Sequence, residues 1–118
     1  MLNEIKVQKK YFSIGEVAAL FGVNESLLRY WEKEFASIKP QKTAKGTRLY
    51  KESDIEDIRL VYYLVKDKGL TLAGAKQQLR DNKDGVVRTE EIVDRLKQIK
   101  KELLLLKTEF DELDKHIK

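Results

Sequence analysis

Asn24-Glu25-Ser26-Leu27-Leu28-Arg29-Tyr30-Trp31-Glu32-Lys33-Glu34-Phe35, followed beyond Pro40 by Gln41-Lys42-Thr43-Ala44-Lys45-Gly46-Thr47-Arg48-Leu49-Tyr50, is the stretch that decides how this chain folds. At the 3.6-residue helical period, Ser26, Arg29, Tyr30 and Lys33 fall in one sector and Leu27, Leu28, Trp31 and Phe35 on the opposite side. Such a helix is anchored by one face and presents the other. Pro40 cannot continue it, and the polar, basic run Gln41 to Thr47, with a glycine near its end, predicts a hairpin tip. Arg48-Leu49-Tyr50 reads as the returning strand, whose alternation puts Arg48 and Tyr50 on one face and turns Leu49 to the core. A cationic and aromatic helix beside a basic hairpin is what a duplex-DNA reader needs: one element for the major groove and one for the neighbouring backbone.

Toward the N-terminus, residues 1–10 read as a polar, basic arm and Tyr11-Phe12 as a short strand. Ser13-Ile14-Gly15-Glu16 matches a capping box, so a helix is predicted over 14–21, ended by Gly22-Val23. Asn24 is a suitable N-cap for the presenting helix, with Glu25 complementing its dipole. Two short helices across a Gly-containing turn make a helix-turn-helix. Further on, Ser53-Asp54-Ile55-Glu56 reads as a second capping box. It would open a helix with Ile55, Ile58, Val61, Tyr62 and Val65 inward, stopped by Gly69. Thr71 would cap a fourth helix with Leu72, Ala75 and Leu79 inward, and residues 83–88 read as a charged, Gly-containing linker.

From Thr89 a heptad begins: Ile92, Leu96, Ile99, Leu103, Leu106, Phe110, Leu113 and Ile117 alternate spacings of four and three. A lone helix of this kind leaves its seam in water, so homodimerisation through residues 89–118 is predicted; the alternative is a helix folded back on its own domain. Parallel dimers favour β-branched residues at a and leucine at d, and this seam has neither set cleanly, so both orientations stay open. Leu104 and Leu105 widen the stripe beyond a strict two-helix seam.

Composition limits the remaining possibilities. At 118 residues the chain suits one compact domain plus an appendage. Net charge is +4 over residues 1–50, +1 over 51–88 and −1 over 89–118, so the excess lies with the presenting helix and hairpin, as a polyanionic partner requires. Without cysteine there is no disulfide, thiolate metal site or cysteine nucleophile, and the single histidine, His116, sits near a helix end. Acidic residues are spread among lysines at helical spacing rather than paired for acid–base work. The expectation is therefore no catalytic residues, no metal and no cofactor. With no apolar run as long as a membrane span or a signal segment, a cytoplasmic protein is expected.

The ordered series Tyr11-x-Ser13-Ile14-Gly15-Glu16-Val17-Ala18, Gly22-Val23-Asn24, Leu28-Arg29-Tyr30-Trp31-Glu32, Pro40-x-Lys42 and Gly46-x-Arg48-x-Tyr50 resembles the signature of MerR-family transcriptional regulators. The likeness runs over residues 11–80 and includes Asp54-Ile55 and Gly69-Leu70-Thr71-Leu72. It implies a mainly α fold: a winged helix-turn-helix with a small β-hairpin wing over 11–82, then a long C-terminal coiled-coil helix. It further implies an antiparallel homodimer bound to an inverted repeat in double-stranded DNA, distortion of promoter DNA, RNA polymerase as a partner at the promoter, and a place in the bacterial nucleoid. Arg29 and Tyr30 take the recognition-helix positions, and Arg48 and Tyr50 the wing positions that meet the DNA backbone. Lys42 stands where the family often has arginine, keeping the charge and losing the bidentate fork. Leu27 replaces a frequent threonine, and Trp31, where many members have a second tyrosine, is assigned to packing beneath the wing. No effector domain is evident.

The expected DNA-binding set is thus Ser13, Asn24, Ser26, Arg29, Tyr30, Lys33, Lys42, Lys45, Arg48 and Tyr50. Against it stand surface pairing of Arg29 and Arg48 with carboxylates such as Glu25 or Glu32, and half-buried packing of Tyr30 and Tyr50. Two other functions remain beside the regulator: an architectural, excisionase-like DNA-bending protein, and a coiled-coil adaptor with a protein partner.

Overall fold

Short polar side chains start the first two helices where the sequence places them. The computed structural model describes residues 10–117, so nearly all of the expected N-terminal arm, and Lys118, lie outside the described residues. Helix α1 spans Ile14–Phe21; Ser13 Oγ accepts from the Glu16 N–H at 3.2 Å while Glu16 Oε1 accepts from the Ser13 N–H at 3.0 Å. Gly22, at φ 64°, turns the chain out of α1 in the left-handed region that an L side chain adopts only under strain. Helix α2 spans Glu25–Glu34, with Asn24 Oδ1 accepting from the Leu27 N–H at 2.8 Å. Its inner face is Leu28 and Trp31, each 1% exposed, and Phe35 follows at 3%.

Strands β1 (Gln41–Lys42) and β2 (Arg48–Leu49) pair antiparallel, Gln41 opposite Leu49 and Lys42 opposite Arg48. At the tip the Gly46 N–H donates to the Thr43 carbonyl at 2.9 Å, and Gly46 takes φ 83°. The expected Tyr11-Phe12 strand shrinks to one bridge residue: Phe12 and Tyr50 exchange two backbone hydrogen bonds of 2.8 Å, tying the wing's end to the entrance of α1.

Helix α3 spans Glu52–Tyr62 and begins one residue before the expected box. The carboxylate that caps it is Asp54, whose Oδ2 accepts from the Lys51 N–H at 2.9 Å, so Ser53 lies inside the first turn. A π-helical turn, Tyr63–Asp67, continues α3, and Gly69 at φ 74° ends it. Because a π turn is wider than an α turn, it shifts the inward face. Ile55, Ile58 and Val61 are buried as expected, but Tyr63 and Leu64 join them in place of Tyr62 and Val65, which are half-buried. Thr71 Oγ1 accepts from the Gly74 N–H at 3.1 Å and opens α4, Leu72–Asp81, with Ala75 fully buried. Helix α1 packs on α2 and α3, and the π turn on α4. The core between them is built from Val17, Leu28, Trp31, Ile38, Tyr50, Ile58, Val61 and Leu64.

A second unit begins at Asn82 and consists of helix α5, Lys83–Ile117, 35 residues and about 52 Å long. Residues 83–88, expected as a linker, form its first turns. Gly85 lies within it, and the Asn82 amide folds over the helix start into the space a Cβ at 85 would occupy. The Thr89 hydroxyl bonds back to the Gly85 carbonyl at 2.8 Å. Along the heptad every seam residue is exposed, from 44% at Ile99 to 75% at Ile117.

Candidate nucleic-acid interface

Most of the expected set is exposed on the helix-turn-helix α1–α2 and the wing β1–β2. Ser13 and Asn24 are exposed at the starts of α1 and α2, where their side-chain oxygens already serve as caps. On α2, Ser26 and Arg29 form a local pair, Arg29 Nη2 donating to Ser26 Oγ at 3.3 Å; Arg29 Nη1 also lies 3.7 Å from Glu25. The Arg29 side chain remains 45% exposed, so a stronger anion can recruit it. Tyr30, at 46%, and Lys33 are exposed beside it. Lys45 is exposed at the wing tip and Lys42 on β1.

Glu32 joins the two elements. Its Oε2 accepts from Arg48 Nε at 2.6 Å, and its Oε1 lies 3.9 Å from Lys42 Nζ. The surface pairings that competed with DNA contact in the sequence are therefore both present in the DNA-free chain, Arg29 with Glu25 and Arg48 with Glu32. The bridging role of Glu32 was missed; its only signal in the sequence is a carboxylate inside an otherwise cationic, aromatic run. At the far end of α2, Glu34 receives Lys76 of α4 at 2.9 Å, which fixes the helix by its C-terminus.

Tyr50 departs from expectation. Expected on the wing's outer face with Leu49 inward, it is fully buried, while Leu49 is only half-buried. The bridge to Phe12 pulls the chain inward at Tyr50, so its ring completes the core and has no free edge for a phosphate. Its hydroxyl is enclosed without a hydrogen-bond partner. Burial, reinforced by the nearby Glu32 charge, pushes the phenol up to about 12. Trp31 is buried as assigned, and its ring meets Tyr62 of α3 edge-on, 6.4 Å between centroids.

Among the described residues no group of three or more acidic or histidine side chains is placed to hold a metal ion, and no helix is long and apolar enough to cross a membrane.

Comparison with known proteins places this architecture. The family described as MerR HTH family regulatory protein matches residues 12–82. The HTH-type transcriptional regulator MlrA of Escherichia coli is 37% identical over 68 residues, 58% of this chain and 28% of that protein. The mercuric resistance operon regulatory protein of Bacillus cereus is 33% identical over 61 residues, 52% of this chain and 46% of that protein. The chain thus spans less than half the length of either relative. A Bacillus cereus MerR-family transcriptional regulator of known structure superposes with a TM-score of 0.53 at 21% identity, over 86% of this chain and 78% of that one; the likeness is one of fold.

Proposed function

Since the chain belongs to the MerR HTH family, its winged helix-turn-helix matching over residues 12–82, we propose that it is a DNA-binding transcriptional regulator that reads an inverted repeat as a homodimer. The observation that carries this reading is the exposed face of α2, where Ser26, Arg29, Tyr30 and Lys33 stand free of the core on the helix that Glu32 ties to the cations of the wing. In the proposed complex α2 lies in the major groove. Arg29 exchanges Glu25 for a base edge or phosphate, and Lys42 and Lys45 meet the adjacent backbone. Ser13 and Asn24 bring helix N-termini, with their positive dipole ends, toward phosphates. Tyr50 supports the wing from below rather than touching DNA.

Dimerisation is proposed through the seam Ile92, Leu96, Ile99, Leu103, Leu106, Phe110, Leu113 and Ile117 of α5, paired antiparallel with a second copy. Eight large apolar side chains in water along one helix support it, because that much exposed apolar surface calls for a partner. An antiparallel pair of rods about 52 Å long separates two reading heads on the scale of successive major-groove faces, about 34–36 Å apart per turn. Distortion of promoter DNA, action on RNA polymerase there and residence in the bacterial cytoplasm complete the proposal.

Selection from a random duplex library, with enriched sites titrated against scrambled DNA at two salt concentrations, tests it. An enriched inverted repeat that keeps its advantage as salt rises is expected. A flat library whose affinity collapses with salt would replace the reading with backbone-led, architectural binding.

A further inference from the structure

We propose that Glu32 is the positioning residue of the wing: it holds Arg48 and Lys42 against the recognition helix, orders the hairpin before any ligand arrives, and restrains the two cations from indiscriminate pairing with phosphate. The inference rests on the DNA-binding reading above for its last part only.

The wing is tied at its base by the Phe12–Tyr50 bridge and the buried Tyr50 ring, but its two strands are short. Its strands are two residues each, and a two-stranded hairpin of that size is marginal in water without packing. Its outer strand is exposed at Gln41 and Lys42. Arg48 and Glu32, by contrast, are only 23% and 17% exposed, and the 2.6 Å separation is that of a strong charge-assisted hydrogen bond. Glu32 uses both carboxylate oxygens toward the wing, one for each strand, Oε2 to Arg48 of β2 and Oε1 to Lys42 of β1. Because Lys42 and Arg48 are register partners, one carboxylate clamps a single rung of the hairpin to α2. Tyr50, two residues beyond Arg48, is fully buried. At the same time a negative charge is held at the centre of a surface proposed to meet a polyanion. It lowers the pull of Arg48 and Lys42 on any phosphate and leaves recognition to contacts that require the right geometry.

Three proteins decide the matter: wild type, Glu32→Gln, and Glu34→Gln as a control that removes the same charge two residues away, where the partner is Lys76. In the absence of DNA, amide hydrogen exchange at Thr43, Gly46 and Thr47 is expected to accelerate about tenfold in Glu32→Gln and to stay at the wild-type rate in Glu34→Gln. With a scrambled duplex, Glu32→Gln is expected to bind more tightly, and its plot of log affinity against log salt to steepen by about 1 to 2 units as the two cations are released to phosphates. Equal wing exchange in all three proteins overturns the clamp whether or not the protein binds DNA. If wild type binds no duplex, the DNA reading and the restraint on the cations fall with it, while exchange still decides the clamp. Wild-type binding with an unchanged slope in Glu32→Gln overturns the restraint.

Discussion

The two units of this chain treat the same kind of residue in opposite ways. Between residues 14 and 81, most large apolar side chains at helical spacing are withdrawn from water, Leu28 and Trp31 to 1% and Ile58, Val61 and Leu64 to 0%, although Leu20 stays 51% exposed. Along α5 the spacing is as regular, yet Ile92 and Leu103 are 60% exposed and Phe110 61%. Periodicity says that a helix has an apolar face; it does not say whose surface covers it. The first unit has several short elements that turn back on one another and close a core, whereas among the described residues the second unit is the single helix α5.

The contrast can be broken first at its strongest point. Trp31→Ala opens the centre of the first unit and is expected to cost about 3–5 kcal/mol, read as a large fall in Tm by circular dichroism at 222 nm. A cost below about 1 kcal/mol would mean that the core does not depend on α2. Phe110→Asp places a charge in the proposed seam and should leave a monomer in sedimentation velocity where wild type is expected to run as a dimer, with the head's Tm nearly unchanged. A dimer that persists would assign the seam to other residues.

Finer changes sharpen the division between surfaces that close on themselves and surfaces kept for a partner. Arg29→Ala leaves the core intact and is expected to weaken binding to the selected site by about 1–3 kcal/mol at every salt concentration, measured by fluorescence anisotropy. The smallest effect is at Tyr50, where a buried hydroxyl lacks a partner. Tyr50→Phe is expected to be neutral or to stabilise by up to about 1 kcal/mol. Its pH dependence has a definite sign. With the folded-state phenol raised from 10.0 to about 12, the stability it contributes is fully present below pH 10 and is lost as pH rises toward 12, since the unfolded chain releases that proton first. Alkaline denaturation of wild type should therefore be steeper over that window than that of Tyr50→Phe.

Legibility followed the range of the interactions. Ser13 with Glu16 and Asn24 with Leu27 act across three residues, so α1 and α2 begin where composition alone places them. Much of the presenting face of α2 was legible for the same reason, Arg29 and Tyr30 being thrown outward by the burial of Leu28 and Trp31. The start of α3 was misplaced because its N-cap is Lys51, whose side chain makes no capping bond and so leaves no cap signal. Asp54, three residues on, reaches back to the Lys51 N–H and is itself buried. The π turn after Tyr62 leaves no compositional trace, yet it decides that Tyr63 and Leu64 rather than Val65 enter the core.

By itself the sequence determined the helix-turn-helix, the hairpin after Pro40, the charge of that surface and the apolar seam of the last helix, all of which depend on neighbours in the chain or on period. Tertiary structure alone decided that Tyr50 goes inward and that Glu32 faces both strands of the wing. The physical reason is separation along the chain: Arg48 is 16 residues from Glu32, and Tyr50 is drawn in by its backbone bridge to Phe12. Such contacts come into being only when the fold has closed around them.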